Sequence, residues 1–135
     1  MKLYKNMATL LAVTTAVATD QTGSTYRVET SSEDGIPDTE QDFQFYLYGS
    51  QSGGASSPTS QITVQTSPDN VHWADLIEST ELTADGDLAE LRTHATLPVL
   101  RFVRAVTTLG GGTNPNHTCE VRLVSNGTFR LKLVS

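Results

Sequence analysis

The chain has 135 residues, of which 37% are apolar and 18% charged, with a formal net charge of −6. That length gives one domain with one core, large enough to fold without a metal or a disulfide. The lone cysteine, Cys119, excludes an intrachain disulfide, the acidic balance argues against general nucleic-acid binding, and no stretch reaches the roughly 18 apolar residues of a membrane-spanning helix.

Low charge with abundant Thr, Ser and Gly suits strands and turns better than helices. Met1 to Thr19 has a basic start at Lys2 and Lys5, an apolar stretch from Met7 to Val13, and the small-residue pattern Ala16-Val17-Ala18, which are features of a secretory leader. The apolar stretch is short and broken by Thr9, Thr14 and Thr15, so Thr9 to Val17 reads instead as a first β-strand. Thr25 to Thr30 alternates and reads as a strand. Ser31 to Asp42 is acidic and holds Gly35 and Pro37, which predicts a loop. Phe43 to Tyr48 is a strand with Phe43, Phe45 and Leu47 on one face, and Gly49 to Ser60 is a flexible excursion.

Gln61 to Thr66 alternates with Ile62 and Val64 inward. Ser67-Pro68-Asp69-Asn70 is a turn, because Pro presets φ and Asn tolerates the left-handed region. His72 to Ile77 returns as a strand, and Asp85-Gly86 marks a second tight turn. Leu88 to Thr93 and Val99 to Leu109 are strands, followed by a Gly-rich loop from Gly110 to Asn116. Thr118 to Val124 and Thr128 to Val134 flank Ser125-Asn126-Gly127 and predict a closing hairpin with a type I′ turn. The sum is an all-β, single-domain antiparallel β-sandwich or jelly roll of about eight or nine short strands, with residues 1–24 as an N-terminal strand or arm and 25–135 as the sandwich.

Little here points to chemistry. His72, His94 and His117 lie in separate segments without metal-ligand spacing. No Gly-rich phosphate loop leads into a helix, and no serine sits in a nucleophile elbow. No enzyme activity, metal or cofactor is expected. Glu33, Asp34, Asp38, Glu40 and Asp42 offer clustered oxygens but lack the EF-hand spacing, so they read as a solvated acidic loop or as a segment that ties onto a basic partner surface. Cys119 reads as a small buried apolar residue. Trp73 with Tyr26, Tyr46 and Tyr48 would form a sugar-stacking platform if folding gathered them; core or subunit-interface packing is the commoner fate of such rings. Asn116-His117-Thr118 and Asn126-Gly127-Thr128 match the N-glycosylation sequon, although a turn explains Asn126.

Charge is segregated along the chain. Residues 29–90 carry thirteen acids and no Lys or Arg, whereas residues 91–135 carry five Arg and one Lys against Glu120 alone. A fold with one acidic and one basic side, whose copies dock through complementary faces, is the expectation.

The stretch Ile62-Thr-Val-Gln-Thr-Ser-Pro-Asp-Asn-Val-His-Trp-Ala-Asp-Leu76 resembles a phrase of tailed-bacteriophage structural proteins, in which a strand runs into Ser-x-Asp-Gly/Asn-x-x-Trp and a second strand. The later Leu97-Pro98-Val99-Leu100-Arg101-Phe102-Val103-Arg104-Ala105, the glycines 110–112 and the strand Cys119 to Val124 are similar to the C-terminal part of the same pattern in those proteins. Ala18 to Tyr26 looks like their opening turn, while residues 31–42 and 49–60 have no counterpart in the pattern. The resemblance implies a virion β-sandwich, foremost a capsid decoration or cement protein on the capsid exterior that bridges copies of the major capsid protein and self-associates as a closed oligomer, with a trimer expected first. Neck, tail and tail-fibre components share such modules, and a carbohydrate-binding adhesin is the alternative the aromatic residues suggest. The expected contact residues are the acidic loop (Glu33, Asp34, Asp38, Glu40 and Asp42), Arg101, Arg104 and Trp73, together with the N-terminal arm; no nucleic acid or membrane partner is expected.

Overall fold

The computed structural model describes residues 6–17, 20–30, 43–52, 59–93, 99–110, 116–125 and 129–134. They form β1 (Asn6–Val17), β2 (Gln21–Thr22), β3 (Tyr26–Thr30), β4 (Phe43–Ser52), β5 (Thr59–Ser67), β6 (Ala74–Glu78), β7 (Gly86–Thr93), β8 (Phe102–Gly110), β9 (Asn116–Ser125) and β10 (Phe129–Leu133). All pairings are antiparallel. Sheet A has the order β1-β9-β4-β7, and sheet B the order β10-β3-β8-β5-β6, with β2 also on β8. The two sheets make a β-sandwich whose strands share one buried cluster.

Period-two alternation supplies that cluster. Phe45 and Leu47 of β4 and Cys119, Val121 and Leu123 of β9 come from sheet A, and Val28, Ile62, Val64, Val103 and Ala105 from sheet B. Each large apolar side chain so buried contributes about 1.5–3 kcal/mol. Tyr26 and Leu131 pack against the cluster from its margin. The inward placement of Phe45, Leu47, Ile62 and Val64 and the burial of Cys119 follow the sequence pattern. The segment expected as an N-terminal strand or arm enters the sandwich as β1, where Leu10 joins the core. Three register irregularities interrupt the pairing of this edge strand with β9, a device that spoils an edge as a template for further pairing.

The turn after β5 is built as expected. Asn70 takes φ 64°, in the left-handed region. Asp69 Oδ1 accepts from Val71 N at 2.9 Å and His72 N at 2.8 Å, and Ser67 Oγ accepts from Asn70 N at 2.9 Å. The two amide bonds to Asp69 Oδ1, with His72 Nδ1 at 2.7 Å from Asp69 Oδ2, hold the Asp69 carboxyl far below the ordinary carboxylate range, the His72 amide being the largest cause. The turn also takes His72 out of the returning strand, which starts at Ala74.

Two connections differ from the sequence reading. β9 and β10 do not form a hairpin: β9 lies between β1 and β4 in sheet A, while β10 pairs β3 at the edge of sheet B. Asn-Gly reports the tendency of the chain to reverse, and the alternation reports one inward face per strand; neither says to which sheet that face belongs. The same holds for Asp85-Gly86. β6 belongs to sheet B and β7 to sheet A, so the connection crosses the sandwich instead of closing a two-residue hairpin. β4 and β5 extend into the expected 49–60 excursion, to Ser52 and from Thr59, while β8 begins only at Phe102. With the two-residue β2, the described strands number ten rather than eight or nine. The acidic loop 31–42, the 53–58 segment, His94 and the Asn126-Gly127 turn lie outside the described residues.

Candidate functional site

Sheet A presents an apolar outer face. Registration places Met7 opposite Val124, Val124 opposite Gln44, and Arg122 opposite Tyr46, which in turn faces Leu91. These side chains, with Glu120, line an open groove of about 520 Å³. Met7 is 58% and Leu91 60% exposed. Arg122 pairs through Nε with Glu120 two residues away, and its Nη1 donates to Met7 Sδ at 3.5 Å. The charges inside the groove therefore cancel locally, leaving a neutral, largely apolar strip.

The polarity of β7 is inverted. Cross-strand neighbours share a face, so Arg92 opposite Phe45 and Glu90 opposite Leu47 lie on the inner face, and Leu91 lies outside. Arg92 grips Glu90 through Nε at 2.8 Å and Nη2 at 2.9 Å, and Thr80 Oγ1 donates to Glu90 Oε1 at 2.7 Å. Arg92 bonding is the largest cause that lowers the Glu90 pKa to about 2, and the same pairing raises that of Arg92. Inward charges on an edge strand discourage edge-to-edge aggregation. They do not explain why a leucine is turned to solvent.

Sheet B carries polar chemistry outside. Arg104 of β8 stacks on Trp73, 4.2 Å from guanidinium carbon to ring centroid. Its Nε donates to Gln65 Oε1 at 2.8 Å, and Gln65 Nε2 donates to Asp75 Oδ1 at 2.9 Å, a chain running across β8, β5 and β6. Nearer the other edge, Lys132, Arg27 and Phe102 are cross-strand neighbours on β10, β3 and β8.

A polar cluster is buried at one end of the sandwich. His117 and Ser60 are 1% and 2% exposed, and neither His117 Nδ1 nor Ser60 Oγ has a hydrogen-bond partner. Burial pushes the His117 pKa down, favouring the neutral imidazole. On the surface, Asp69 orients the His72 ring, but Ser67 donates to Asp69 and not to His72, so this set activates no hydroxyl. Among the described residues no group of three or more His, Cys, Asp and Glu is placed to hold a metal ion, and no helix is long and apolar enough to cross a membrane.

Of the residues singled out in the sequence, the structure brings Arg104 and Trp73 together. Arg101 is exposed in the bend before β8, where its carbonyl accepts from Val28 N at 2.9 Å. Glu33, Asp34, Asp38, Glu40 and Asp42 fall outside the described residues. The four aromatics weighed as a sugar platform are separated: Tyr26 packs on the core, Tyr46 and Tyr48 lie on strand β4 facing out of sheet A, and Trp73 covers Arg104 on sheet B. Sequence reasoning misses the outer groove of sheet A; its one signal is Leu91 standing out of phase between Glu90 and Arg92. No protein-family model, curated protein or solved structure matches the chain.

Proposed function

We propose that the protein is a structural component of a tailed-bacteriophage virion, a capsid decoration protein that works by contact and not by catalysis. On this reading the outer face of sheet A seats on the major capsid protein at the shell exterior, and many weak contacts repeated by symmetry hold it through avidity. The observation that carries the reading is the neutral apolar groove with Met7 and Leu91 turned to solvent; exposed apolar surface of this kind marks interaction sites. The resemblance over residues 62–76 and 97–105 supplies the virion context.

Quantitative mass spectrometry of purified particles tests it. Near-equimolar amounts with the major capsid protein, or a simple fraction of it, are expected. A handful of copies per particle would move the protein to the neck, tail or fibre, and absence from particles would end the virion reading. A glycan-binding role draws on Tyr46 and Tyr48, two positions apart along one face. It predicts saturable glycan binding that Tyr48→Ala abolishes.

A further inference from the structure

The inward series of three strands ends in polar side chains at the same end of the core. Period two sets the inner face of each strand. On β9, His117 continues the inward Leu123, Val121 and Cys119; on β5, Ser60 continues Val64 and Ile62; on β4, Gln51 continues Phe45, Leu47 and Gly49. Gln51 is directly opposite His117. His117 and Gln51 are 1% exposed and Ser60 2%. β4 and β9 belong to sheet A and β5 to sheet B, so the two sheets face each other here through polar groups.

Gly49 fixes their level and the orientation of the imidazole. A Cβ on Gly49 would stand 2.9 Å from His117 Nε2, 3.9 Å from His117 Cδ2 and 3.5 Å from Ile62 Cδ1. Gln51 and Ser60 each lie two residues beyond that level, toward the β4–β5 connection. The Nε2–Cδ2 edge of the ring faces Gly49, so Nδ1, the corner opposite that edge, points away from it. The neighbouring buried hydroxyls are bonded: Thr107 Oγ1 accepts from Gln21 N at 3.1 Å, and Ser79 Oγ accepts from Ile62 N at 3.0 Å and donates to Thr80 O at 3.0 Å. Ser60 is held in place by its backbone, which exchanges bonds of 3.0 and 2.9 Å with Leu82. Among the described residues, neither Ser60 Oγ nor His117 Nδ1 has a partner, and they do not bond each other.

A buried polar atom left unbonded forfeits its hydration with nothing in return. Protein interiors meet that need with a chain group or with an internal water that makes two to four bonds. Neutral groups call for a neutral ligand. Burial favours the uncharged imidazole, Ser60 and Gln51 carry no charge, and among the described residues no cluster of His, Cys, Asp and Glu is placed to hold a metal ion. The close approach at Gly49 leaves no space for a larger ligand on that side of the ring.

We propose that this end of the core binds an internal water molecule that joins His117 Nδ1 on β9 to Ser60 Oγ on β5, with the Gln51 carboxamide as the third polar group at the site. The water ties sheet A to sheet B where their apolar contact ends. It is independent of the virion reading, because it needs only this chain.

Oxygen-17 relaxation dispersion of the protein in solution, which counts long-lived internal waters, tests the site. Ser60→Val and His117→Phe each remove one of its two partners, and each should lower the count by one water relative to the wild type. The double variant should also lose one water and not two, because both side chains hold the same molecule. An unchanged count in either single variant, or a loss of two in the double variant, would overturn the proposal. A high-resolution crystal structure of the wild type tests it without any substitution. Water density within about 3.2 Å of both atoms is expected. Either atom bonded to the other or to another group of the chain, with no water between them, would overturn it.

Discussion

The guanidinium of Arg104 lies 4.2 Å from the centroid of the Trp73 ring, while its Nε donates to Gln65 Oε1 at 2.8 Å. One side chain thus ties the segment after the Asn70 turn to the middle of β8. A partly exposed cation–π pair is worth about 0.5–1 kcal/mol. Arg104→Met keeps much of the stem and removes the charge and the donor, so urea unfolding should show a loss of about that size. Trp73 is the only tryptophan, so its emission should shift in the folded variant. An unchanged spectrum and midpoint would mean that the stack does not hold the ring.

Glu90 should set an acid limb of stability. Its pKa falls from an ordinary 4.5 to about 2, chiefly through the Arg92 hydrogen bonds. A lowered folded value means that the unfolded chain takes up the proton first as pH falls. The stabilisation is therefore complete above about pH 4.5 and is lost as pH drops toward about 2. The pair is partly solvated, with the Glu90 side chain 20% exposed, and screening limits the effect to about 1 kcal/mol or less. Denaturant midpoints measured across that range should fall less steeply in Glu90→Gln than in the wild type; parallel curves would contradict the assignment.

His117 should set a second limb nearer neutrality. Burial lowers its pKa from 6.5, so below that value the unfolded chain binds a proton that the folded chain refuses, and stability falls with pH. His117→Leu should flatten the fall in stability as pH drops below 6.5. The packing around the ring is equally testable. A Cβ on Gly49 would stand 2.9 Å from His117 Nε2 and 3.5 Å from Ile62 Cδ1. Gly49→Ala should cost about 1–3 kcal/mol as overpacking, read as a shifted urea midpoint at neutral pH. A neutral substitution would show that the ring has room to move.

The parts of this fold that are legible in the sequence are those that one strand or one turn decides alone. Alternation in Gln61 to Thr66 puts Ile62 and Val64 inside, and Asn after Pro-Asp marks the left-handed residue at position 70. Pairing is not legible, because β9 and β10 alternate alike whichever sheet they join. The same alternation misleads on β7, where Glu90 and Arg92 neutralise each other on the inner face and free Leu91 to face out. Trp73 and Arg104 each stand out for their own chemistry, yet their contact spans two strands of sheet B and needs the β5–β8 register to appear.

Leu47 and Leu91 separate folding from function on neighbouring strands. Leu47 is fully buried, and Leu47→Ala should cost about 2–5 kcal/mol through lost burial and the cavity left behind. Leu91 faces out at 60% exposure on an edge strand. Leu91→Lys puts there a residue that edge strands commonly carry, and a surface change of this kind stays within about 0.5 kcal/mol. If the outer groove of sheet A is the docking surface, that variant should unfold like the wild type in urea and yet fail to co-sediment with particles stripped of the protein. Its charge would lie in a strip whose only described ions, Glu120 and Arg122, already neutralise each other, so docking would bury a lysine without a partner. Full co-sedimentation of Leu91→Lys would take the groove out of the interface and leave the exposed leucine without a function.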